Sequence, residues 1–247
     1  MKSTAKNSQK TKKIVIIGLF TALAFVVSAV LPIKVSFLTL DFKDAVSTIC
    51  GMFFGPISGI VCALIVPFIE ATYSGTGMYG LIMNIISSVT LVGISSTIYK
   101  YKKTIWGAVI GLATAAVATM GIMTLANILI TPHYLHIKMG MDLEAARQTV
   151  KALLPTTIIP FNIIKSVLNA SIAMLLYKPI SRMLKKILNA KITEDKVQDG
   201  GDKTAIVVDE ETKKKNRIRS IIVTVLSAII VITALVIVFL VLGGQVS

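Results

Sequence analysis

One apolar segment near residue 160 carries three polar side chains at helical spacing, Asn162, Lys165 and Asn169. Positions three and four apart share one face of a helix, so these side chains are expected to point the same way. In a membrane, Lys165 would lie about ten residues from the outer end, about 15 Å deep at 1.5 Å per residue. A charged lysine at that depth costs at least about 2.5 kcal/mol. We expect Lys165 to donate hydrogen bonds to a bound solute; the alternative is a structural role, reaching water or pairing with Glu70.

A second apolar segment supplies an amide that complements this face. Asn127 lies near the outer end of its segment, at a depth similar to that of Asn162. Two amides and an ammonium converging there would form a concave polar site within apolar and aromatic walls, as small-molecule sites do. The candidate aromatic walls are Phe37, Phe161 and Tyr134.

Other polar groups near these segments have several possible roles. Asn84 is a further amide at membrane depth. Asp41 and Asp44 precede a short apolar segment and are expected to cap its helix, although Asp41 could also line the outer mouth of the site. The two histidines, at 133 and 136, follow a threonine–proline break in a predicted external loop, and we predict no metal site there.

The composition identifies the kind of protein that must position these groups. Of 247 residues, 54% are hydrophobic and 15% are charged, whereas a soluble domain has about 25% charged residues. The formal net charge is +14, but the basic residues flank apolar runs, which favours a membrane protein over a nucleic-acid partner. Two cysteines, both inside apolar segments, disfavour a disulfide framework and are too few for a cysteine-based metal site.

The apolar runs predict an all-α integral membrane protein with a six-helix bundle and one extra carboxyl-terminal helix. Basic residues cluster before the first run, at 100–103 and after 177, which places the amino terminus in the cytoplasm of a multi-pass cell-membrane protein. Four parts are predicted: a basic cytoplasmic tail (1–13), a substrate-binding membrane domain (14–191), a charged linker (192–216) and an additional transmembrane helix (217–247). The predicted spans of the bundle are 14–31, 44–54, 57–72, 80–99, 104–130 and 156–177.

Small residues in the first span are spaced for close helix packing. Gly18 and Ala22 form one such pair, and Ala24 and Ser28 form another. This spacing allows another helix to approach closely, either from a partner protein or from within the bundle. The sequence alone does not distinguish the two.

Across 13–191 the chain resembles the substrate-capturing S component of energy-coupling factor (ECF) transporters, most of all the riboflavin-specific branch. The most specific motif is Pro-Phe-Asn-Ile-Ile-Lys at 160–165. Asn127, followed by Pro132 and Tyr134, is a second motif. Two further motifs precede and follow the second span, Leu-Thr-Leu-Asp-Phe-Lys-Asp at 38–44 and Phe-Gly-Pro-Ile-Ser-Gly at 54–59.

The resemblance implies a six-helix protein without catalytic activity or cofactor that captures riboflavin from outside. It also implies a membrane coupling subunit and two cytoplasmic ATPases as partners, besides membrane lipid, with ATP hydrolysis reorienting the S component. By the same resemblance, Asn127, Asn162 and Lys165 would bind the edge of the isoalloxazine ring, and Gly18 and Ala22 would contact the coupling subunit. Remaining parts of the vitamin would need further partners, for which the candidates are Leu38, Leu40, Asp41, Met83, Asn84, Tyr134 and Phe161.

Several alternatives remain open at this point. The ligand could be thiamine, folate or a pyrimidine, although Lys165 disfavours a cation such as thiamine. Glu70, which the resemblance does not explain, could carry a proton in a self-contained ion-coupled transporter. A membrane enzyme is disfavoured because the spans hold one deep carboxylate and no histidine. A purely structural protein would leave the cost of the deep lysine unexplained.

Overall fold

The computed structural model of the protein describes residues 2–35, 38–197, 221–233 and 236. Helices dominate these residues, and a short π-helical turn, Leu154–Ile158, joins two of them. The helices and strands are α1 (Lys2–Val30), β1 (Ile33–Val35), β2 (Leu38–Leu40), α2 (Lys43–Phe54), α3 (Pro56–Ala71), α4 (Gly77–Tyr101), α5 (Ile105–Met139), α6 (Leu143–Leu153), α7 (Ile159–Val197) and α8 (Ile221–Thr233).

Four helical runs among the described residues are long and apolar enough to cross a membrane, namely Lys13–Val30, Gly77–Tyr101, Ile105–Met139 and Leu143–Arg182. They contain the predicted fourth and sixth spans, and all but one residue each of the predicted first and fifth spans. The predicted second and third spans form α2 and α3, which have 12 and 16 residues. Since a helix needs about 20 apolar residues to cross a bilayer, these two are short.

The helix ends differ from the predicted part boundaries. α1 begins at Lys2, so the basic tail continues directly into the first span. α7 continues to Val197, beyond the boundary expected at 191. Residues 198–216 of the predicted linker lie outside the described residues, and α8 lies within the predicted extra helix. The division into four parts stays a prediction.

A short hairpin follows α1, in the stretch between the first two predicted spans. β1 and β2 pair antiparallel, with Ile33 opposite Leu40. Each strand alternates apolar, polar and apolar residues, the period-2 pattern of a half-buried strand. Leu40 packs in a cluster with Phe161 and Leu168 of α7, which attaches the hairpin to the bundle. Phe37 lies outside the described residues.

A sharp corner joins α2 to α3 at the Phe-Gly-Pro motif. Gly55 has a φ of 98°, which glycine adopts without steric cost, and Pro56 starts α3, where its missing N–H is tolerated. Gly51 and Gly59 then face each other across the corner. A Cβ on Gly59 would lie 2.6 Å from the Cα of Gly51, so the two backbones are in direct contact.

Replacing Gly59 by alanine is expected to destabilise the protein by about 1–3 kcal/mol, because the new methyl group overlaps backbone atoms that cannot move freely. Thermal unfolding in detergent would measure this as a lower Tm. Gly93→Ala is the matched control, since its Cβ would meet only side-chain atoms of Ile60 at 3.8 Å. Equal melting temperatures of the two variants would contradict the predicted contact.

The additional helix α8 packs against the bundle. Val223 contacts the main hydrophobic core, and Ser227 is buried. An apolar crevice separates parts of α8 from α5 and α7, with Trp106 and Met174 among its lining residues. The described part of the predicted seventh span therefore contacts the bundle.

Candidate ligand-binding site

A pocket opens between α4, α5 and α7, with β2 on one side. The empty space between its walls amounts to about 700 Å³, including the part that is open to solvent. Eight of the candidate residues named from the sequence line it: Leu38, Met83, Asn84, Asn127, Tyr134, Phe161, Asn162 and Lys165.

α7 contributes one polar wall of the pocket. Phe161, Asn162 and Lys165 follow the π-helical turn that contains Pro155, and their spacing places them on one helix face. The Nδ2 group of Asn162 donates to the carbonyl of Ile158, one turn back, over 2.8 Å. The Oδ1 atom of Asn162 has no partner among the described residues and can accept a hydrogen bond from a ligand.

α5 contributes the second amide. Asn127 is fully buried; its Nδ2 group donates to the carbonyl of Met123 over 2.7 Å, and its Oδ1 accepts from the hydroxyl of Thr131 over 3.0 Å. These two bonds fix the orientation of the amide. One N–H and one oxygen lone pair of Asn127 remain for further partners.

Lys165 is held by the hairpin segment and not by Glu70. Its ammonium donates to Oδ2 of Asp41 over 3.0 Å and to the carbonyl of Thr39 over 3.4 Å. An ammonium has three N–H donors, so one remains free for a ligand. Pairing with Asp41 offsets part of the cost of burying this charge.

Two predicted site residues, Leu40 and Asp41, do not line the pocket. Leu40 is turned into the cluster between β2 and α7, and Asp41 lies behind the wall with 2% of its surface exposed. The expected helix cap is also wrong: the N-cap of α2 is Phe42, and Oδ1 of Asn169 accepts from the backbone N–H of Ala45 over 2.9 Å. Asn169 therefore supplies from α7 the cap that was expected from the aspartates.

Lys43 is an important buried charge that sequence reasoning missed. It is 1% exposed, and its ammonium contacts Oδ2 of Asp41 at 2.9 Å and Oε2 of Glu70 at 2.7 Å. Glu70 also accepts from the hydroxyl of Ser28 and, over 3.4 Å, from Nδ2 of Asn84. The polar letters between Leu40 and Val46 were the available signal, because they interrupt the apolar pattern at the start of a short helix.

Aromatic rings form another part of the pocket. Tyr134 of α5 contacts Tyr79 of α4 edge to face, with ring centroids 6.0 Å apart, and Phe161 lies on α7. Tyr79 was not predicted as a site residue. Among the described residues, no cluster of three or more histidine, cysteine or carboxylate side chains could hold a metal ion.

The two small-residue pairs of α1 have different environments. Ala24 and Ser28 are buried against the bundle. Gly18 and Ala22 are exposed, and a Cβ on Gly18 would meet no atom of the described residues within 4 Å, apart from its chain neighbours and the backbone of its own helix. Internal packing therefore accounts for one pair, and the other lies on an open face with exposed Val15 and Leu19.

The fold agrees with comparisons to known proteins. The sequence model described as "ECF transporter, substrate-specific component" matches residues 12–177, so the chain belongs to that family of membrane transport subunits. A solved structure titled "Structure and mechanism of the S component of a bacterial ECF transporter" superimposes with a TM-score of 0.59 at 26% identity, covering 71% of this chain and 99% of that one.

Two similar curated proteins are riboflavin transporters by name. The chain is 29% identical over 185 residues to the riboflavin transporter RibU of Staphylococcus aureus strain TCH60, covering 73% of this chain and 96% of that protein. It is 23% identical over 190 residues to the riboflavin transporter FmnP of Bacillus subtilis strain 168, covering 74% and 99%. The aligned lengths of 185 and 190 residues are close to the length of the predicted six-helix domain, residues 14–191.

Proposed function

We propose that this protein is the riboflavin-binding S component of an ECF transporter, which captures the vitamin from outside the cell for ATP-driven uptake. The observation that carries the proposal is the convergence of Asn127, Asn162 and Lys165 in one pocket of a protein of this family. The similarity to two riboflavin transporters supports the choice of ligand.

The chemistry of the pocket suits a flavin. The isoalloxazine ring has carbonyl oxygens, ring nitrogens and an imide N–H along one edge. Lys165 has one free donor, Asn162 a free acceptor and Asn127 one of each. The flat ring would pack against aromatic and thioether side chains, for which Phe161, Tyr134 and Met83 are available in the lining.

The transport cycle requires partners that the S component does not contain. We propose a membrane coupling subunit and two cytoplasmic ATPases, because members of the family supply only substrate binding. The exposed pair Gly18 and Ala22 on α1 is the proposed contact for the coupling subunit. The distribution of basic residues supports a cytoplasmic amino terminus in the bacterial cell membrane.

Titration of the detergent-solubilised protein with riboflavin should quench flavin fluorescence and saturate near one flavin per chain. Asn162→Ala is expected to weaken binding up to about tenfold, the range of one neutral hydrogen bond. Gln148→Ala, which removes an exposed amide on α6, is the matched control and should bind like the wild type. A folded, monodisperse protein that binds no riboflavin would overturn the choice of ligand.

A further inference from the structure

A buried chain of alternating charges joins two walls of the pocket. It runs from Lys165 on α7 to Asp41 (3.0 Å), then to Lys43 (2.9 Å) and to Glu70 on α3 (2.7 Å). From Glu70 it continues to Nδ2 of Asn84 on α4, over 3.4 Å. The first and last groups line the pocket, whereas the three in the middle do not.

The three middle groups are unusual in their burial. Asp41, Lys43 and Glu70 are 2%, 1% and 7% exposed. Buried ion pairs often stabilise a fold no better than apolar residues of similar volume would, because desolvation offsets the attraction between the charges. Stability alone is therefore a weak reason for this arrangement, and its contacts with pocket residues point to a role in positioning them.

Glu70 determines which end of Asn84 faces the ligand. An amide can present either its oxygen or its NH₂ group, but an ionised carboxylate only accepts hydrogen bonds. Since Nδ2 of Asn84 donates to Glu70, the oxygen of Asn84 is left for the pocket. That oxygen has no hydrogen-bond partner among the described residues. It is not fully enclosed by protein atoms, so a ligand in the pocket can reach it.

We propose that Glu70 is a positioning residue for ligand selection. It holds Asn84 as a hydrogen-bond acceptor, and that acceptor selects a ligand with a hydroxyl group at this position. Asn84 lies on α4, whereas Asn127, Asn162 and Lys165 lie on α5 and α7. When those three residues bind the edge of the ring, the part of riboflavin that remains for Asn84 is the hydroxylated ribityl chain. The inference therefore rests on the proposed function.

The test compares riboflavin with lumiflavin, which keeps the ring but carries a methyl group in place of the ribityl chain. Glu70→Gln is expected to weaken riboflavin binding about tenfold, the scale of one misplaced buried hydrogen bond, and to change lumiflavin binding less than about twofold. In the Asn84→Ala background, Glu70→Gln should cause no further loss of riboflavin affinity. Glu144→Gln, the same change on the exposed surface of α6, should leave both affinities unchanged.

Two results would overturn the positioning role. Equal losses for both flavins would mean that Glu70 only stabilises the fold. Additive losses from Glu70→Gln and Asn84→Ala would mean that the two residues act independently.

A ligand-free measurement separates this inference from the proposed function. In protein labelled with ¹⁵N-asparagine, the side-chain amide signal of Asn84 is the one absent from Asn84→Ala. It should shift in Glu70→Gln but not in Glu144→Gln. If the wild type binds neither flavin, the proposed function fails together with the assigned ribityl contact.

Even in that case, a shift of the Asn84 signal in Glu70→Gln would support the orientation of Asn84 by Glu70. An unchanged Asn84 signal would overturn the orientation of Asn84 by Glu70 as well.

Discussion

Replacing Lys165 by methionine is expected to weaken riboflavin binding by about 10- to 100-fold, because a hydrogen bond to a charged group contributes about 1.5–3 kcal/mol. Methionine keeps the length of the apolar stem and removes only the ammonium. The loss should exceed that of Asn162→Ala, since the amide forms neutral bonds. Titration of flavin fluorescence with purified protein would measure both.

Among the described residues, the same substitution leaves Asp41 with Lys43 as its only ionic partner, so the fold could be affected as well as the ligand contact. The double variant Lys165→Met/Asp41→Asn removes one charge of each sign and separates the two effects. If Lys165 binds the ligand, affinity stays low in the double variant. Recovery of wild-type affinity would show that Lys165 serves only to neutralise Asp41.

Lys151→Met is the matched control for this prediction. Lys151 is exposed on α6 and lies outside the pocket lining. The Lys151→Met variant loses the same kind of ammonium group without leaving a buried partner unpaired, so its riboflavin affinity should stay at the wild-type level. A comparable loss in this variant would indicate a general effect of net charge on the protein.

The polar face of the pocket could be predicted from sequence because its information is local. Asn162 and Lys165 are three residues apart, and helical geometry alone places them on one face. Asn127 could be added because its distance from the end of its own span sets its depth. That both helices turn these faces toward a single pocket required the tertiary structure.

The charge network could not be predicted in the same way. The partner of Lys165 is 124 residues away at Asp41, and the partner of Lys43 is 27 residues away at Glu70. No sequence periodicity links these positions. Their proximity depends on how the short helices α2 and α3 pack, and that packing includes the contact of Gly51 with Gly59. The pairing of Lys165 with Glu70, which the sequence offered as a structural alternative, is wrong, because Lys165 pairs with Asp41.

The two small-residue pairs of α1 illustrate the same limit. They have identical spacing, so their sequence pattern could not assign one to the interior and the other to a partner. Contacts with other elements separate them, because Ser28 bonds Glu70 whereas Gly18 has open space. This distinction makes the exposed pair testable without disturbing the core.

Gly18→Leu is expected to leave riboflavin binding by the isolated protein unchanged and to abolish uptake by cells that contain the complete transporter. The Cβ of the new side chain would meet no atom within 4 Å among the described residues, apart from its chain neighbours and the backbone of its own helix. The leucine would nevertheless prevent the close helix approach that small residues permit. Association with the coupling subunit should weaken at least about tenfold, or about 1.4 kcal/mol. Co-purification and uptake of labelled riboflavin would measure the two effects.

Gly121→Leu on α5 is the matched control, because Gly121 is also exposed and the surroundings of its Cβ position are equally open within the described part of the chain. If the open face of α1 is the contact surface, only the variant at Gly18 should lose co-purification and uptake. Equal uptake in both variants would exclude this face as the contact. Loss of riboflavin binding in the Gly18 variant would instead place its effect within the S component, because binding by the purified chain requires no partner. The comparison thus separates capture of the vitamin from coupling to ATP hydrolysis.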